Sequence, residues 1–264
     1  MKAYIYGLIL NIQFFSIIPL QAEVPSVKKN YERAIQTFPI SGLMQGVIYA
    51  GFLYMMLEWT PLSALAVAFL LWLLMIVLTG GIHLDAWIDC SDAFFSYRDK
   101  EKRLRIMEDS RVGAFGVLSV IVLLAARFFF LYEIILMANT STYLFVLVIP
   151  FFGKTLMGMM LARVPLAKEE GMAYFFRKAT QPKTLWIYPA YMLILFLGSA
   201  LLAQDYFIHL LILLIMKYIL FILFRRKSLK WFGGITGDVT GAAREGGEIS
   251  LWIIVWLFHY YAMG

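Results

Sequence analysis

The stretch GGIHLDAWIDCSDAFFSYRDKEKRLRIMEDSRVGAFG, residues 80–116, separates two apolar runs that are each long enough to cross a bilayer, and it holds seven of the chain's 17 acidic residues. Asp85, Asp89 and Asp92 follow one another at i, i+4 and i+7, which places their carboxylates on one face of a helix. Like charges stacked in this way repel, whereas hard divalent cations require clustered oxygen ligands. The spacing therefore predicts a site for Mg²⁺, Mn²⁺ or Ca²⁺; the alternative is an acidic surface loop that binds nothing.

The composition is that of a membrane protein. The chain has 264 residues, of which 62% are apolar and 15% charged, and its mean hydropathy is +0.78. A soluble domain is about half apolar and about a quarter charged. Recurring period-2 strand patterns are absent, which favours helices over a barrel as the spanning elements. The single Cys90 excludes an internal disulfide.

The apolar runs predict an all-α polytopic membrane protein that forms one integral domain over residues 1–264. We expect about seven transmembrane helices, at residues 41–57, 62–78, 117–137, 143–161, 185–203, 206–224 and 249–261. Residues 3–20 are interrupted by Asn11 and Gln13 and end at Pro19, so they predict an interfacial or re-entrant helix.

The basic residues predict the orientation in the membrane. The polar connectors 21–40, 80–112, 162–184 and 225–248 together hold 19 of the 23 Lys and Arg residues, and the alternate turns hold none. Basic connectors stay on the cytoplasmic side of a membrane. The acidic cluster is therefore expected at the cytoplasmic face.

A second charged group follows the aspartates in the same stretch. Asp109 lies between Arg105 and Arg111, just before Gly113, and its separation from Asp92 suits two helices joined by a turn. Clustered carboxylates flanked by arginines are what a metal-bridged pyrophosphate requires, because the metal and the guanidinium groups share the phosphate charge.

A glycine-rich run near the end of the chain is the other candidate phosphate site. Residues 233–243 contain Thr236, Gly237 and Asp238 among several glycines, beside a basic run. Such backbone can present N–H groups to phosphate, and Asp238 can join the metal site or hold a ribose hydroxyl. The alternative is a flexible turn between two spans.

Three further ionisable residues are candidates for the site: one lies close to the aspartates, and two lie inside apolar runs, where burying a charge is costly. His83 precedes the aspartates at the expected helix entrance, where it is a metal ligand, phosphate donor or proton carrier, or else a structural residue. Arg127 and Lys154 lie inside apolar runs, so they are expected to face the bundle interior and to bind substrate phosphate or pair with carboxylates.

Three segments together resemble one enzyme family. HLDAWIDCSDAF (83–94), RIMEDSRVGAFG (105–116) and GGITGDVTGAAREGGE (233–248) are similar to signatures of the cobalamin synthases, the adenosylcobinamide-GDP ribazoletransferases. Residues 38–42 also resemble that family. The sequence departs from the family's pattern at Ala86, where a glycine is usual, and at residues 16–19, which replace a polar segment containing arginine.

The resemblance implies an Mg²⁺-dependent transferase for substituted phosphate groups (EC 2.7.8 type). Such an enzyme joins adenosylcobinamide-GDP to α-ribazole or its 5′-phosphate, releasing GMP. It would reside in a bacterial or archaeal cytoplasmic membrane with its active site facing the cytoplasm. Its partners would be its substrates and the lipid bilayer, without nucleic acid, and a homo-oligomer is left open.

The residue pattern and the resemblance together assign roles. We expect Asp85, Asp89 and Asp92 to hold the metal, and Asp109 to act as the base with Arg111 beside it, His83 being the next candidate. The expected substrate or phosphate ligands are Arg105, Lys154, Thr236, Gly237 and Asp238.

Two other functions compete with this one. A CDP-alcohol phosphotransferase also carries several aspartates on two membrane helices, but no Ala-Arg pair follows Asp85 and Asp89 as its D-x2-D-G-x2-A-R order requires. A small permease would concentrate ionisable residues near the bilayer midplane. Most charges here lie in connectors, which favours the enzyme.

Overall fold

The computed structural model describes residues 2–262, and these residues form an all-α protein without strands. Short 3₁₀ turns at Thr184–Ile187 and Gln204–Tyr206 precede two of the helices. The helices are α1 (Lys2–Phe15), α2 (Lys28–Trp59), α3 (Ala64–Thr79), α4 (Ile82–Phe95), α5 (Lys100–Met107), α6 (Ala114–Leu136), α7 (Thr140–Arg163), α8 (Gly171–Ala179), α9 (Tyr188–Leu202), α10 (Phe207–Phe232) and α11 (Gly237–Tyr261).

The membrane-spanning character is confirmed, while the count of spans differs from the expected seven. Among the described residues, five helices are long and apolar enough to cross a membrane, or six when the bent pair of α3 and α4 is taken as one span. The seventh predicted run lies in α11. That helix carries Arg244, Glu245 and Glu248, and these three charges exclude it from the helices that are apolar enough to cross a membrane.

The predicted N-terminal connector is wrong over most of its length, because α2 begins at Lys28. At 32 residues α2 extends about 48 Å, so it is longer than the hydrocarbon core. Its polar residues find partners inside the protein. The side-chain amide of Asn11, in α1, donates to the Ala34 carbonyl and the Thr37 hydroxyl, both at 3.0 Å. Glu32 accepts from the Thr184 hydroxyl at 3.0 Å.

The predicted connector 225–248 is wrong for a similar reason. Residues up to Phe232 continue α10, and α11 begins at Gly237, so only residues 233–236 remain non-helical. Arg244, Glu245 and Glu248 pair with one another in the interior, whereas the basic residues 225–227 and 230 remain exposed. The single parallel bridge among the described residues, between Leu166 and Ile235, ties this short link to the segment that follows α7.

The core is built on close contact between α2 and α7. Almost every residue of α7 is buried. Gly42 and Gly46 lie directly against the backbone of α7 at Pro150 and Leu147, where a Cβ atom would overlap main-chain atoms. Small residues of this kind let two membrane helices approach closely, since packing rather than water exclusion holds them together.

A sharp bend then directs the acidic helix α4. Gly80 and Gly81 both adopt left-handed backbone conformations, with φ of 64° and 72°, which residues with a Cβ rarely adopt. The axes of α3 and α4 consequently differ by 85°. The expectation that these glycines turn the chain out of the preceding helix is confirmed.

We expect Gly46→Ala to destabilise the protein by about 1–3 kcal/mol, because the added methyl group must displace the backbone of α7. Gly51→Ala is the matched control on the same helix, where a Cβ meets nothing within 4 Å. Thermal unfolding in detergent measures both. Equal melting temperatures for the two variants would contradict the close contact.

Candidate active site

The three aspartates of α4 occupy different environments. Asp85 is exposed, Asp89 is half-buried, and Asp92 is engaged by another helix. The Oδ2 atom of Asp92 accepts from the Gly113 N–H at 2.7 Å, and its Oδ1 atom accepts from the Gly116 N–H at 2.8 Å. Asp92 therefore binds the free N–H groups at the start of α6, where a negative charge is also favoured by the helix dipole.

A close contact between α4 and α11 brings in a further carboxylate. A Cβ placed on Gly241 would lie 2.7 Å from the Cβ atom of Ala86, so the two helices meet with a single methyl group between them. This contact positions Asp238, in the first turn of α11, so that its charge acts on Asp85 and Asp89. Burial raises the pKa of Asp238.

A cavity of about 260 Å³ lies beside this contact, between α4, α7, α8 and α11. Its apolar lining residues include Phe15, Met157, Leu161 and Phe176. Its polar lining residues are His83, Lys168, Glu170, Thr236, Asp238 and Thr240. A ligand with an aromatic part and a polar part matches this mixed lining.

His83 lies at the start of α4, as expected, and forms part of the cavity wall. Its ring is stacked on Phe15, with centroids 5.6 Å apart and planes inclined by 11°. Its Nε2 atom lies 3.3 Å from the Nζ atom of Lys154. Its Nδ1 atom faces Gly241, 3.4 Å from the position that a Cβ would occupy there. Lys154 is fully buried behind His83 and does not line this cavity.

The glycine-rich run forms the polar end of the cavity. Thr236 caps α11, because its hydroxyl accepts from the Val239 N–H at 3.1 Å. The Ile235 N–H donates to the Pro165 carbonyl at 2.9 Å, which fixes this helix start against the segment after α7. Thr236, Gly237 and Asp238 all line the cavity, so the sequence grouping of these three residues has a structural counterpart.

The second charged group lies next to Glu108, whose carboxylate pairs with Lys168 of the cavity wall. The Nη2 atom of Arg111 donates to Oδ2 of Asp109 at 2.6 Å, and its Nε atom donates to Oδ1 at 2.9 Å. These hydrogen bonds lower the pKa of Asp109 to about 2. Arg105 is exposed on α5. None of these three residues lines the cavity.

A buried network of ion pairs joins α11 to α6. Arg127 pairs with Glu245, Arg244 lies 3.2 Å from Glu245, and Arg244 lies 2.8 Å from Glu248. The expectation that Arg127 pairs with a carboxylate is confirmed. Sequence reasoning missed its partners because it assigned Arg244, Glu245 and Glu248 to a connector. Their i, i+1 and i+4 spacing was the available signal.

Sequence reasoning also missed part of the cavity. Lys168 and Glu170 lie in a stretch that was treated only as a basic connector, and Lys168 bridges Glu108 at 2.5 Å and Glu170 at 3.5 Å. Phe15 and Phe176 come from the N-terminal helix and from α8, far from the acidic motif in sequence. No local pattern points to these residues.

The candidate metal ligands in this region are carboxylate oxygen atoms. Within residues 2–262, no group of three or more His, Cys, Asp and Glu side chains is arranged to hold a metal ion by itself. Mg²⁺ is usually bound by one or two carboxylates together with substrate phosphates and water. The pair of Asp85 and Asp89, with Asp238 nearby, fits that mode of binding.

Comparison with known proteins decides the family. The sequence model of the cobalamin-5-phosphate synthase family matches residues 7–256, which is nearly the whole chain. The chain belongs to this family. The resemblance seen in the three motifs is therefore confirmed, and the matched range includes every residue that lines the cavity.

Named members of the cobalamin-5-phosphate synthase family match over their full length. The adenosylcobinamide-GDP ribazoletransferase of Geobacillus sp. (strain WCH70) is 38% identical over 269 residues, covering 100% of both chains. Proteins of the same name from Geobacillus thermodenitrificans and Halalkalibacterium halodurans are 39% and 34% identical over 265 residues, each covering 98% of both chains. No solved structure matches the chain.

The structure predicts different consequences for two of the aspartates. Asp92→Asn should lower the free energy of unfolding by about 1–3 kcal/mol, because an amide cannot accept from both the Gly113 and Gly116 N–H groups. Asp85→Asn should change it by no more than about 0.5 kcal/mol, since Asp85 is exposed. Thermal unfolding without Mg²⁺ compares them. Equal destabilisation would show that Asp92 does not hold α6.

Proposed function

We propose that this protein is an adenosylcobinamide-GDP ribazoletransferase, which joins adenosylcobinamide-GDP to α-ribazole or its 5′-phosphate and releases GMP. The observation that carries this proposal is the close contact of α4 with α11, which brings the charge of Asp238, a residue of the cavity wall, to act on Asp85 and Asp89. Membership of the cobalamin-5-phosphate synthase family supports it over a CDP-alcohol phosphotransferase or a permease.

Asp85 and Asp89 would hold Mg²⁺ together with substrate phosphate and water, and Asp238 would add negative charge nearby. Neither Asp85 nor Asp89 forms an ion pair within residues 2–262, so their oxygen atoms remain free for a cation. Bound Mg²⁺ supplies positive charge to the pyrophosphate oxygens of the donor. Asp92 stays the third predicted ligand, and its carboxylate also fixes α4 against α6 through the Gly113 and Gly116 N–H groups.

The cavity suits the acceptor better than the donor. A corrin ring system is far larger than about 260 Å³, whereas a bicyclic base with a ribose is of that order. The base would lie against Phe15 and Phe176, and the ribose would point towards Asp238. The corrin of the donor would remain outside the cavity, with only its pyrophosphate reaching Asp85 and Asp89.

In this arrangement the ribose 3′-hydroxyl attacks the phosphate attached to cobinamide. An oxygen–phosphorus bond forms, the bond to the GMP phosphate breaks, and the hydroxyl proton passes to a base. Positioning and charge neutralisation supply most of the rate in phosphoryl transfer. If His83 is the base, Nδ1 is the atom that accepts the proton, because Nε2 faces Lys154.

Two residues are candidates for the general base that accepts the hydroxyl proton. Asp109 was expected to accept the proton, but its pairing with Arg111 and its pKa of about 2 make it a weak base. His83 lines the cavity and is held by Phe15 and Lys154. The position of His83 in the cavity wall therefore favours it over Asp109 as the base.

Membranes containing the protein should convert adenosylcobinamide-GDP and α-ribazole into a cobalamin and GMP in the presence of Mg²⁺. Asp89→Asn should lower turnover by at least about a hundredfold and raise the Mg²⁺ concentration needed for half-maximal activity, because a carboxylate ligand is lost. GMP release, followed by chromatography, measures both. An unchanged Mg²⁺ dependence would remove Asp89 from the metal site.

The same assay separates the two candidate bases. If Asp109 only orders Arg111, Asp109→Asn should lower kcat by less than about tenfold, whereas His83→Gln should lower it by about a hundredfold or more. Donor retention by each variant, measured on filters, shows whether the loss lies in binding. A severe loss of kcat in Asp109→Asn with normal donor binding would restore Asp109 as the base.

The active site is proposed to face the cytoplasm, on the distribution of Lys and Arg residues. In a Cys90→Ala background, cysteines at Lys102, Lys178 and Lys230 should react with a membrane-impermeant thiol reagent only from the cytoplasmic side. Inside-out and right-side-out vesicles provide the two directions. Labelling from the outside at any of these positions would reverse the orientation.

A further inference from the structure

A second surface cavity, of about 440 Å³, lies where three membrane helices meet at one end of the bundle. It is bounded by the last residue of α7, Arg163, by the first residue of α9, Tyr188, and by Arg225 near the end of α10. Each helix belongs to a candidate span. The cavity, hereafter the arginine groove, therefore lies at a membrane surface rather than in the middle of the bilayer.

The arginine groove is separate from the catalytic cavity. Met157 and Leu161 of α7 line the catalytic cavity, whereas Met159 and Arg163 line the groove. Residues two apart on a helix point about 200° away from each other, so α7 stands between the two sites. A ligand in the groove cannot contact Asp85 or Asp89 across that helix.

The charge in the groove is unbalanced. Arg163 and Arg225 are both exposed, and neither is paired with a carboxylate within residues 2–262. Guanidinium groups bind phosphate through two parallel hydrogen bonds, which makes arginine better suited to this task than lysine. Two unpaired arginines line this groove, so its charge favours an anionic ligand such as a phosphate.

The remaining wall is apolar and aromatic. It is formed by Met159, Leu185, Tyr188, Pro189, Tyr218 and Phe221. The hydroxyl of Tyr188 donates to the Ile35 carbonyl at 2.7 Å, so that ring is fixed in place. Below the groove, α9 presents Leu193 and Leu197 to the surroundings, with exposed fractions of 60% and 55%. An apolar track thus leads from the two arginines along the membrane-facing side of α9.

We propose that the arginine groove binds an anionic phospholipid of the surrounding bilayer. Its phosphate would lie between Arg163 and Arg225, and an acyl chain would follow the apolar wall and α9. A zwitterionic lipid carries its own ammonium group, which offsets the phosphate charge, so the groove should prefer phosphatidylglycerol to phosphatidylcholine. A soluble phosphate would satisfy the arginines but leave the apolar track empty.

The test compares two double variants of equal charge. Arg163→Gln/Arg225→Gln removes both guanidinium groups of the groove, whereas Arg226→Gln/Lys230→Gln removes two exposed cations from the same end of α10 that do not line it. Native mass spectrometry of the purified protein, titrated with phosphatidylglycerol, measures the lipid retained. We expect retention to fall on the order of tenfold in the groove variant and to stay near wild type in the control.

Three results would overturn the proposal. Equal loss of phosphatidylglycerol in both variants would indicate general charge attraction. The wild-type protein retaining phosphatidylcholine as well as phosphatidylglycerol would show no headgroup preference, and retaining glycerol phosphate equally well would show that the apolar track contributes nothing. Thermal unfolding checks the fold of each variant. If the double groove variant does not fold, the lipid titration is repeated with the single variant Arg225→Gln, because Arg225 is exposed and lies outside the core.

Discussion

The contact between Ala86 of α4 and Gly241 of α11 is the constraint on which the catalytic geometry depends. With one methyl group between two helices, the first turns of both lie side by side, and Asp238 acts on Asp85 and Asp89. A larger side chain at position 241 would part the helices. The carboxylates would then separate, although each helix alone could remain intact.

Other features hold these two helices in place. Two left-handed glycines bend the chain by 85° into α4, and Asp92 fastens α4 to the start of α6. On α11, Thr236 caps the first turn, and the Arg127–Glu245 pair anchors the middle. Buried ion pairs contribute little net stability, but removing one partner leaves a costly buried charge. The network therefore specifies which face of α11 turns inward.

The helix α7 divides the molecule into two functional sides. Its nearly complete burial makes it the partition between a cavity with carboxylates and a surface groove with unpaired arginines. The carboxylate side attracts cations, and the arginine side attracts phosphate. Placing the two on opposite faces of one helix keeps a lipid phosphate away from the proposed pyrophosphate site.

The sequence by itself determined the all-α membrane class, the seven apolar runs, the family and the face shared by the three aspartates, because composition and helical period are local properties. It assigned residues 28–39 and 237–248 to connectors, since their polar side chains look solvated until their partners are known. Only the tertiary structure paired Arg127 with Glu245 and turned Asp92 towards α6. Those contacts join residues more than 20 positions apart, and no local pattern encodes which distant group will satisfy a buried charge.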